Sequence, residues 1–485
     1  MHATGFLDCV IHRRSNVPRG SICLATRERR ERREALDCGS LLPLFASQPC
    51  CGRSGIEQGI RKSTWTRHAQ QAAPSPKRQQ AAAVQRLTPS SAPLRRLNTN
   101  RGTPALPEAC RPVFHALLLL VWLLGPLAFG DEAVGWRKAE PGWKYEWPRD
   151  HSAHRDFKTE WWYFTGSLRA ADGRRFGYQV TFFRQGVRPP GNRPAARSRF
   201  VVDDLNFGHF TVTDVKAGHF FFSQQILRGA FGEAGFGDAQ KLDRLAWLGD
   251  WSLGIGDDGA MKLRANDGTR SLDLRLESAK PWAVHGEGSV STKAAEPGHA
   301  SHYYSGTRMR SRGTLQIDGR EMPIEGESWF DHEWATNQLA PGQTGWDWFS
   351  VQLDDGTELM LYRMRKTDGS VDRASSGSFI AADGSVRHLR IDELRMTPTR
   401  FWQSEKTRGK YPVGWRVEVP VLELDLEVTT PVESQELALD PVTYWEGMID
   451  VSGRRAGRGV SGHGYLELTG YAGSVVGLSV PESGR

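Results

Sequence analysis

Trp161-Trp162-Tyr163-Phe164-Thr165-Gly166-Ser167-Leu168 leads to Asp172-Gly173 and then to Phe176-Gly177-Tyr178-Gln179-Val180-Thr181-Phe182-Phe183. Phe176, Tyr178, Val180 and Phe182 share one face of the second run, while Gln179 and Thr181 share the other. A period of two is the mark of a half-buried strand. Asp-Gly fills tight hairpin turns because both residues tolerate positive φ. The stretch therefore reads as a β-hairpin, and its grammar recurs down the chain. Six further Asp-Gly pairs end at Gly259, Gly268, Gly319, Gly356, Gly369 and Gly384. Leu272, Leu274 and Leu276 alternate with Asp273, Arg275 and Glu277, and Leu315 and Ile317 precede Asp318-Gly319. Helical periodicity is nearly absent. A meander this long hides its edges most cheaply by closing into barrels. The expected fold class is all-β.

The opening hairpin has a weak echo. Trp346-Asp347-Trp348-Phe349-Ser350-Val351-Gln352-Leu353 precedes Asp355-Gly356 and an expected strand from Glu358 to Met364. Two tandem antiparallel barrels follow, each opened by an aromatic hairpin. The pattern breaks at Ala340-Pro341-Gly342, which sets the expected domains at 154–339 and 340–480, after a linker at 131–153.

Residues 1–112 differ from all of this. They carry 19 Lys/Arg and 7 Asp/Glu, a net of +12, so a chain of formal charge +7 leaves about −5 for the rest. The leader is rich in Arg, Gln, Ser and Pro, has few apolar residues to build a core, and reads as disordered. The folded part is mildly acidic and no nucleic-acid partner is expected. All six cysteines, the last being Cys110, precede it, so it forms neither disulfides nor thiolate metal sites. Arg111 and the apolar run Ala116–Phe129 have the proportions of a signal peptide over 113–130, with small residues placing cleavage after Gly130. A periplasmic or secreted protein is expected; an uncleaved anchor at 116–129 is the alternative. No methionine lies between Met1 and Met261, so a start near Leu106 or Val113 requires a non-AUG codon.

Chemistry concentrates in Ser328-Trp329-Phe330-Asp331-His332-Glu333-Trp334. A carboxylate among aromatics costs several kcal/mol, on the order of 2–7, unless it is paired, hydrogen-bonded or kept protonated. On a strand, Phe330, His332 and Trp334 share one face and Trp329, Asp331 and Glu333 the other. The acids then either staple two elements together through an Arg or do proton chemistry. Elsewhere, Glu160 is expected to pair with Arg155, His209 to be a satisfied core histidine, and Trp445-Glu446-Gly447 to pack and cap the second barrel. His151 with His154, and His299 with His302, lack the further ligands a zinc site needs, and no HExxH motif occurs, so no metal or other cofactor is expected. No Gly-x-Ser-x-Gly elbow supports a serine hydrolase.

Four stretches in order carry a family resemblance: His154-Arg155-Asp156-Phe157-Lys158-Thr159-Glu160-Trp161-Trp162-Tyr163-Phe164-Thr165-Gly166; His302-Tyr303-Tyr304-Ser305; Trp329-Phe330-Asp331-His332-Glu333-Trp334; and Tyr444-Trp445-Glu446-Gly447 with Gly464-Tyr465-Leu466-Glu467-Leu468-Thr469-Gly470-Tyr471. Over about 140–480 the chain resembles the AttH/CrtC family of exported lipocalin-like proteins, which includes carotenoid 1,2-hydratases and a branch labelled predicted secreted hydrolases. The resemblance implies two lipocalin-like barrels and a cavity for a lipid or isoprenoid-like molecule, with an ABC-transporter permease as partner. Trp161, Trp162, Trp334, Trp346, Trp348 and Tyr362 are its expected lining. The alternative it implies is a hydratase acting on an apolar alkene by acid catalysis. Protonation of an alkene needs a carboxylic acid kept neutral by burial, with Asp331 first choice, Glu333 second and Asp347 third. π faces shelter the cation, and Tyr303 and His332 order the water. The strand Leu359–Arg365 offers Tyr362 but no carboxylate, so a hydratase drawing its acid from there has no counterpart here.

Overall fold

The structure, a computed structural model, describes residues 135–473 apart from 194–197, 199 and 441. The basic leader, the 113–130 segment with its cleavage site, and the anchor alternative at 116–129 lie outside the described residues. No helix among the described residues is long and apolar enough to cross a membrane.

Two antiparallel sheets make up the fold. The first contains β1 (Thr159–Ala170), β2 (Arg175–Gly186), β3 (Asp204–Asp214), β4 (His219–Leu227), β5 (Ala234–Phe236), β6 (Ala246–Leu248), β7 (Trp251–Ile255), β8 (Met261–Asn266), β9 (Arg270–Ser278), β10 (Ala283–Val284), β11 (Ser291–Thr292), β12 (Ala300–Ile317) and β13 (Arg320–Ala335). Its order is β4-β3-β2-β1-β13-β12-β9-β8-β7-β6-β5, with β10 and β11 on β12. The second contains β14 (Gln343–Leu353), β15 (Glu358–Lys366), β16 (Ser376–Ile380), β17 (Val386–Arg390), β18 (Arg395–Gln403), β19 (Lys410–Val419), β20 (Leu424–Thr429), β21 (Glu436–Leu437), β22 (Tyr444–Arg455) and β23 (Arg458–Thr469). Its order is β17-β16-β15-β14-β23-β22-β20-β19-β18, with β21 on β22. In each sheet the first strand is flanked by its hairpin partner and by the last strand, β13 or β23. This is how the hairpin and its echo come to occupy equivalent places, and the first sheet curls into a nearly closed barrel, the second into a half-barrel.

All seven Asp-Gly glycines have φ between +78° and +90°. Of the seven aspartates only Asp318 is also at positive φ. At five of the others the glycine N–H closes a turn onto the carbonyl three residues back, as from Gly356 to Leu353. These are turns in which glycine alone needs the left-handed region, and the expectation that both residues use it holds only at Asp318-Gly319.

Alternation fills both interiors. Trp162, Phe164, Phe176, Tyr178, Val180, Phe182, Leu274 and Phe330 point into the first core. Phe349, Val351, Leu359, Leu361, Trp415 and Leu466 point into the second. The opposite faces of the same strands meet between the sheets, where Tyr163, Tyr303 and Trp329 pack against Trp348, Met360, Tyr362, Met448 and Tyr465. Buried Glu358 clamps this seam, accepting from Lys280 Nζ and Arg308 Nε at 2.6 Å each. Gln352 Nε2 donates across it to the carbonyls of Thr307 (2.8 Å) and Ser328 (3.0 Å).

Gly177 shows how tight the contact is. A Cβ there would lie 2.6 Å from the Tyr465 hydroxyl and 2.9 Å from Met448 Sδ. Gly177→Ala is expected to force the sheets apart at a cost of about 1–3 kcal/mol, read as a lowered urea midpoint. An unchanged midpoint would mean that the seam yields.

Candidate functional site

On β13 the alternation sends Phe330, His332 and Trp334 into the first core and Trp329, Asp331 and Glu333 into the seam. Asp331 is buried and receives three donors. Tyr303 Oη–H donates to Oδ2 at 2.8 Å, Trp329 Nε1–H to Oδ1 at 2.6 Å, and Ser305 Oγ–H also to Oδ1. Burial pushes this carboxyl up to about 7; the three donors oppose the shift and neighbouring Glu333 adds to it. The Tyr303 hydroxyl itself accepts from Trp348 Nε1 at 3.0 Å, which ties the second sheet into the arrangement.

Glu333 faces Lys293 Nζ at 3.2 Å, with both side chains largely buried. The ammonium lies 4.1 Å from the Tyr362 ring centroid and 5.3 Å from that of Tyr303. Burial opposes its charge most strongly, but Glu333, together with Tyr362 and Asp331, holds its pKa above the ordinary value. Lys293 is thus a fixed cation beneath two aromatic faces.

The second sheet contributes two more acids. Glu446 on β22 and Glu467 on β23 are directly opposed. Glu446 is fully buried; its Oε1 accepts from the Tyr163 hydroxyl, and its Oε2 has no hydrogen-bond partner among the described residues. Burial pushes its carboxyl well above the usual range, and Glu467 and Asp331 add to the shift. Glu467 is hemmed in by protein, yet keeps some exposed surface. Burial raises it to about 8. Register interleaves the groups: Tyr163 pairs with Asp331, Trp161 with Glu333, and Trp348 with Glu467. Trp161 and Trp346 are half-buried, marking with Glu467 the side on which the cluster approaches solvent.

The expected site residues therefore divide. Asp331, Glu333, Tyr303, Trp161, Trp346, Trp348 and Tyr362 gather at the seam. Trp162, His332 and Trp334 lie in the first core instead, because they occupy the alternate positions of their strands. Trp162 stacks on His332 with centroids 4.5 Å apart, and Trp334 stacks on His154 at 3.7 Å. His332 Nε2 meets Glu160 at 3.0 Å and its Nδ1 meets the Asp150 carbonyl at 2.9 Å, so it is not placed to order water beside Asp331. Asp347 points to the core side of the second sheet and is neutralised by Arg363 Nε at 2.7 Å and Arg365 Nε at 3.2 Å. Glu160 pairs with Arg184, not with Arg155, which reaches Asp204 at 3.2 Å. His209 is buried and satisfied, by the Tyr444 hydroxyl at 2.6 Å and Gln224 at 3.0 Å, and so faces the second sheet.

His154, Glu160 and His332 are the metal-ligand group that the described residues bring together, with donor atoms within 4.8 Å of one another. Those atoms are engaged with each other at 2.8 and 3.0 Å, and the guanidinium of Arg184, 3.0 Å from Glu160, already supplies a cation. The group reads as a neutralised structural network.

Reading the sequence missed Glu446, Glu467 and Lys293. A signal for Glu446 was present: in Tyr444-Trp445-Glu446 the acid falls on the face opposite the core tryptophan. That β23 sets Glu467 against it is a pairing no single sequence displays.

Comparison with known proteins agrees with the fold. The AttH-like family profile matches residues 138–471. The crystal structure described as an AttH protein from Nitrosomonas europaea is 33% identical, with 69% of this chain and 99% of that one covered and a TM-score of 0.62. Kievitone hydratase from Nectria haematococca, 13% identical, has the same fold, at a TM-score of 0.54 over 70% of this chain and 96% of that one. The dehydratase asqC of Emericella nidulans is 23% identical over 230 residues, a match spanning 44% of this chain and 63% of that protein. With the two sheets and their order in hand, the match over most of the folded part is decisive: the chain belongs to the AttH-like family.

Proposed function

We propose that this protein adds water to, or removes it from, an apolar substrate bearing an alkene, held in the aromatic seam between the two sheets. The observation that carries this reading is a set of carboxyl groups of unequal proton affinity in one apolar space. Three donors restrain the upward push of burial on Asp331, leaving it near 7, while burial pushes Glu446 across the seam well above the ordinary range and Glu467 to about 8. Water addition needs that inequality: a neutral carboxyl to protonate the alkene and an ionised one to take the proton from the entering water. Asp331 thereby moves from the acid expected of it to the base. Trp329, Trp348 and Tyr303 offer π faces to the passing cation. A hydratase with this fold and a dehydratase similar in sequence over part of its length support the reaction class.

The test is incorporation of oxygen-18 from labelled water by the full chain. Geraniol, farnesol and squalene serve as trisubstituted alkenes, and the corresponding tertiary alcohols probe the reverse direction. Labelled tertiary alcohol, or loss of water from the alcohols, is expected from at least one. A full panel unchanged in both directions would defeat the proposal. Within this reading the 113–130 segment supports an extracytoplasmic setting, which N-terminal sequencing of an exported chain beginning at Asp131 checks.

A further inference from the structure

We propose that Glu446 is the proton donor of the seam and Glu467 the reservoir that refills it. Four observations place the roles. Glu446 is fully buried, and one of its oxygens has no partner among the described residues. An unpaired buried acceptor costs about 1–3 kcal/mol, and more when charged, so a carboxylate is poorly accommodated there. With Tyr163 donating to Oε1, the proton of a neutral Glu446 sits on Oε2 as an unengaged O–H. The Tyr465 hydroxyl, which Glu446's charge reaches, is a second buried group without a partner among the described residues. Two such polar groups lie in the same apolar cluster as Tyr163 and Met448, with bonding capacity the described residues leave unfilled.

Glu467 is the cross-strand neighbour of Glu446, with Cβ atoms expected about 4.5–5.5 Å apart. Two carboxyls that close do not both ionise. Glu467 keeps some exposed surface where Glu446 has none, so protons pass between solvent and the buried acid through it. The titratable groups facing Glu446 are Tyr163 on β1, Asp331 on β13, Tyr444 on β22, and Tyr465 and Glu467 on β23. Burial, with Glu467 and Asp331, favours the neutral form of Glu446, and the hydrogen bond from Tyr163 opposes it without reversing the shift.

The step balances. The Oε2–H bond breaks as a C–H bond forms at the less substituted alkene carbon, and the π pair leaves a tertiary cation. Water closes the C–O bond and yields its proton to Asp331. Glu446 recovers a proton from Glu467, which takes one from solvent, and Asp331 returns one to solvent. The net change is one water added, and the reverse order removes it. The donor role rests on the water-addition reading; the protonation state of Glu446 does not.

Infrared difference spectroscopy of the full chain at pH 7, in H2O and in D2O, separates the two. The parent is expected to show the carbonyl stretch of a neutral carboxyl that Glu446→Gln lacks, with an unchanged thermal midpoint because one neutral group replaces another. Water-addition turnover should fall about 100-fold or more in Glu446→Gln. In Glu467→Gln the infrared band of Glu446 should persist, while the alkaline limb of the rate profile near 8 disappears. Glu467 and Asp331 keep their own neutral-carboxyl absorption at pH 7, so the reading is the parent-minus-Glu446→Gln difference, and a difference spectrum without a neutral-carboxyl band overturns the assignment. If the parent turns over and Glu446→Gln keeps pace with it, the donor role falls and water addition stands. The band without turnover by the parent retires the reaction, and the donor role with it, while the neutral glutamate survives.

Discussion

Glu160→Ala is expected to cost the folded protein about 3–5 kcal/mol, the range for stranding a buried charge by removing its partner. Its carboxylate accepts from the His154 backbone N–H at 2.9 Å, His154 Nδ1 at 2.8 Å, His332 Nε2 at 3.0 Å and Arg184 Nε at 3.0 Å. Arg184 is itself fully buried, and donates also to the carbonyls of His154 and Phe157. Without Glu160, Asp204 at 3.0 Å is the one carboxylate left to the guanidinium among the described residues, and His154 keeps Asp150 at 3.2 Å. The pH dependence follows from the two shifts. Hydrogen bonds and charge from His154, with His332 and Arg184, hold Glu160 below its ordinary 4.5 in spite of burial, so its contribution is complete above that value and is lost as pH falls through the folded pKa. Asp150 and Glu160 hold His154 above its ordinary 6.5 against burial. The histidine's contribution is complete below 6.5 and is lost as pH rises through its folded pKa. The penalty should therefore be largest between about 4.5 and 6.5 and shrink on both sides. Urea unfolding across pH 3–9 reads it, and Arg184→Met added to Glu160→Ala should recover part of the loss. A penalty under about 1 kcal/mol, flat with pH, would mean the network is solvated rather than buried.

That network shows where reading the sequence stops. The period of two along β1, β2 and β13 was legible, and it placed Asp331 and Glu333 opposite His332 because strand geometry leaves no other choice. The seven turns were legible as turns, though not in type: whether the aspartate also takes positive φ depends on the twist of the flanking strands. The echo of the first hairpin was legible because the same local physics opens each sheet. Partnership across strands was not. Arg155 stands close to Glu160 in sequence, yet Arg184 reaches it from the neighbouring strand, where Glu160 and Arg184 are register partners. The expected lining residues divide between seam and core for the same reason. Trp161 and Trp162 are adjacent, and adjacency on a strand puts one in the seam and one in the core. Glu467 became meaningful only once β22 and β23 were paired, since its chemistry lies in standing opposite Glu446.

Asp331→Asn is expected to lower kcat/KM for water addition by about 10²–10⁴-fold while keeping the fold and the affinity for the apolar substrate. Asparagine has the size of the side chain it replaces, and its carbonyl still accepts from Trp329 and Ser305. It cannot take a proton from the entering water. In the parent, activity should rise with pH through about 7 as Asp331 ionises, and that limb should vanish from the residual rate of the variant. Stability gives an independent reading with a definite sign. Burial raises the folded pKa of Asp331 above its ordinary 3.8, so the parent's contribution from this group is complete below 3.8 and is lost as pH rises toward about 7. The asparagine variant has no such loss. The difference in unfolding free energy should therefore move in the variant's favour between pH 4 and pH 7, at up to about 1.4 kcal/mol per pH unit, and level off above. If Asp331 were instead an ionised staple between the sheets, its folded pKa would be depressed. Asp331→Asn would then destabilise the protein most at high pH and leave any turnover of the folded fraction intact. Urea midpoints at pH 4, 6 and 8, set beside the rate profile, decide between a carboxyl strained by burial for proton transfer and one that holds two sheets together.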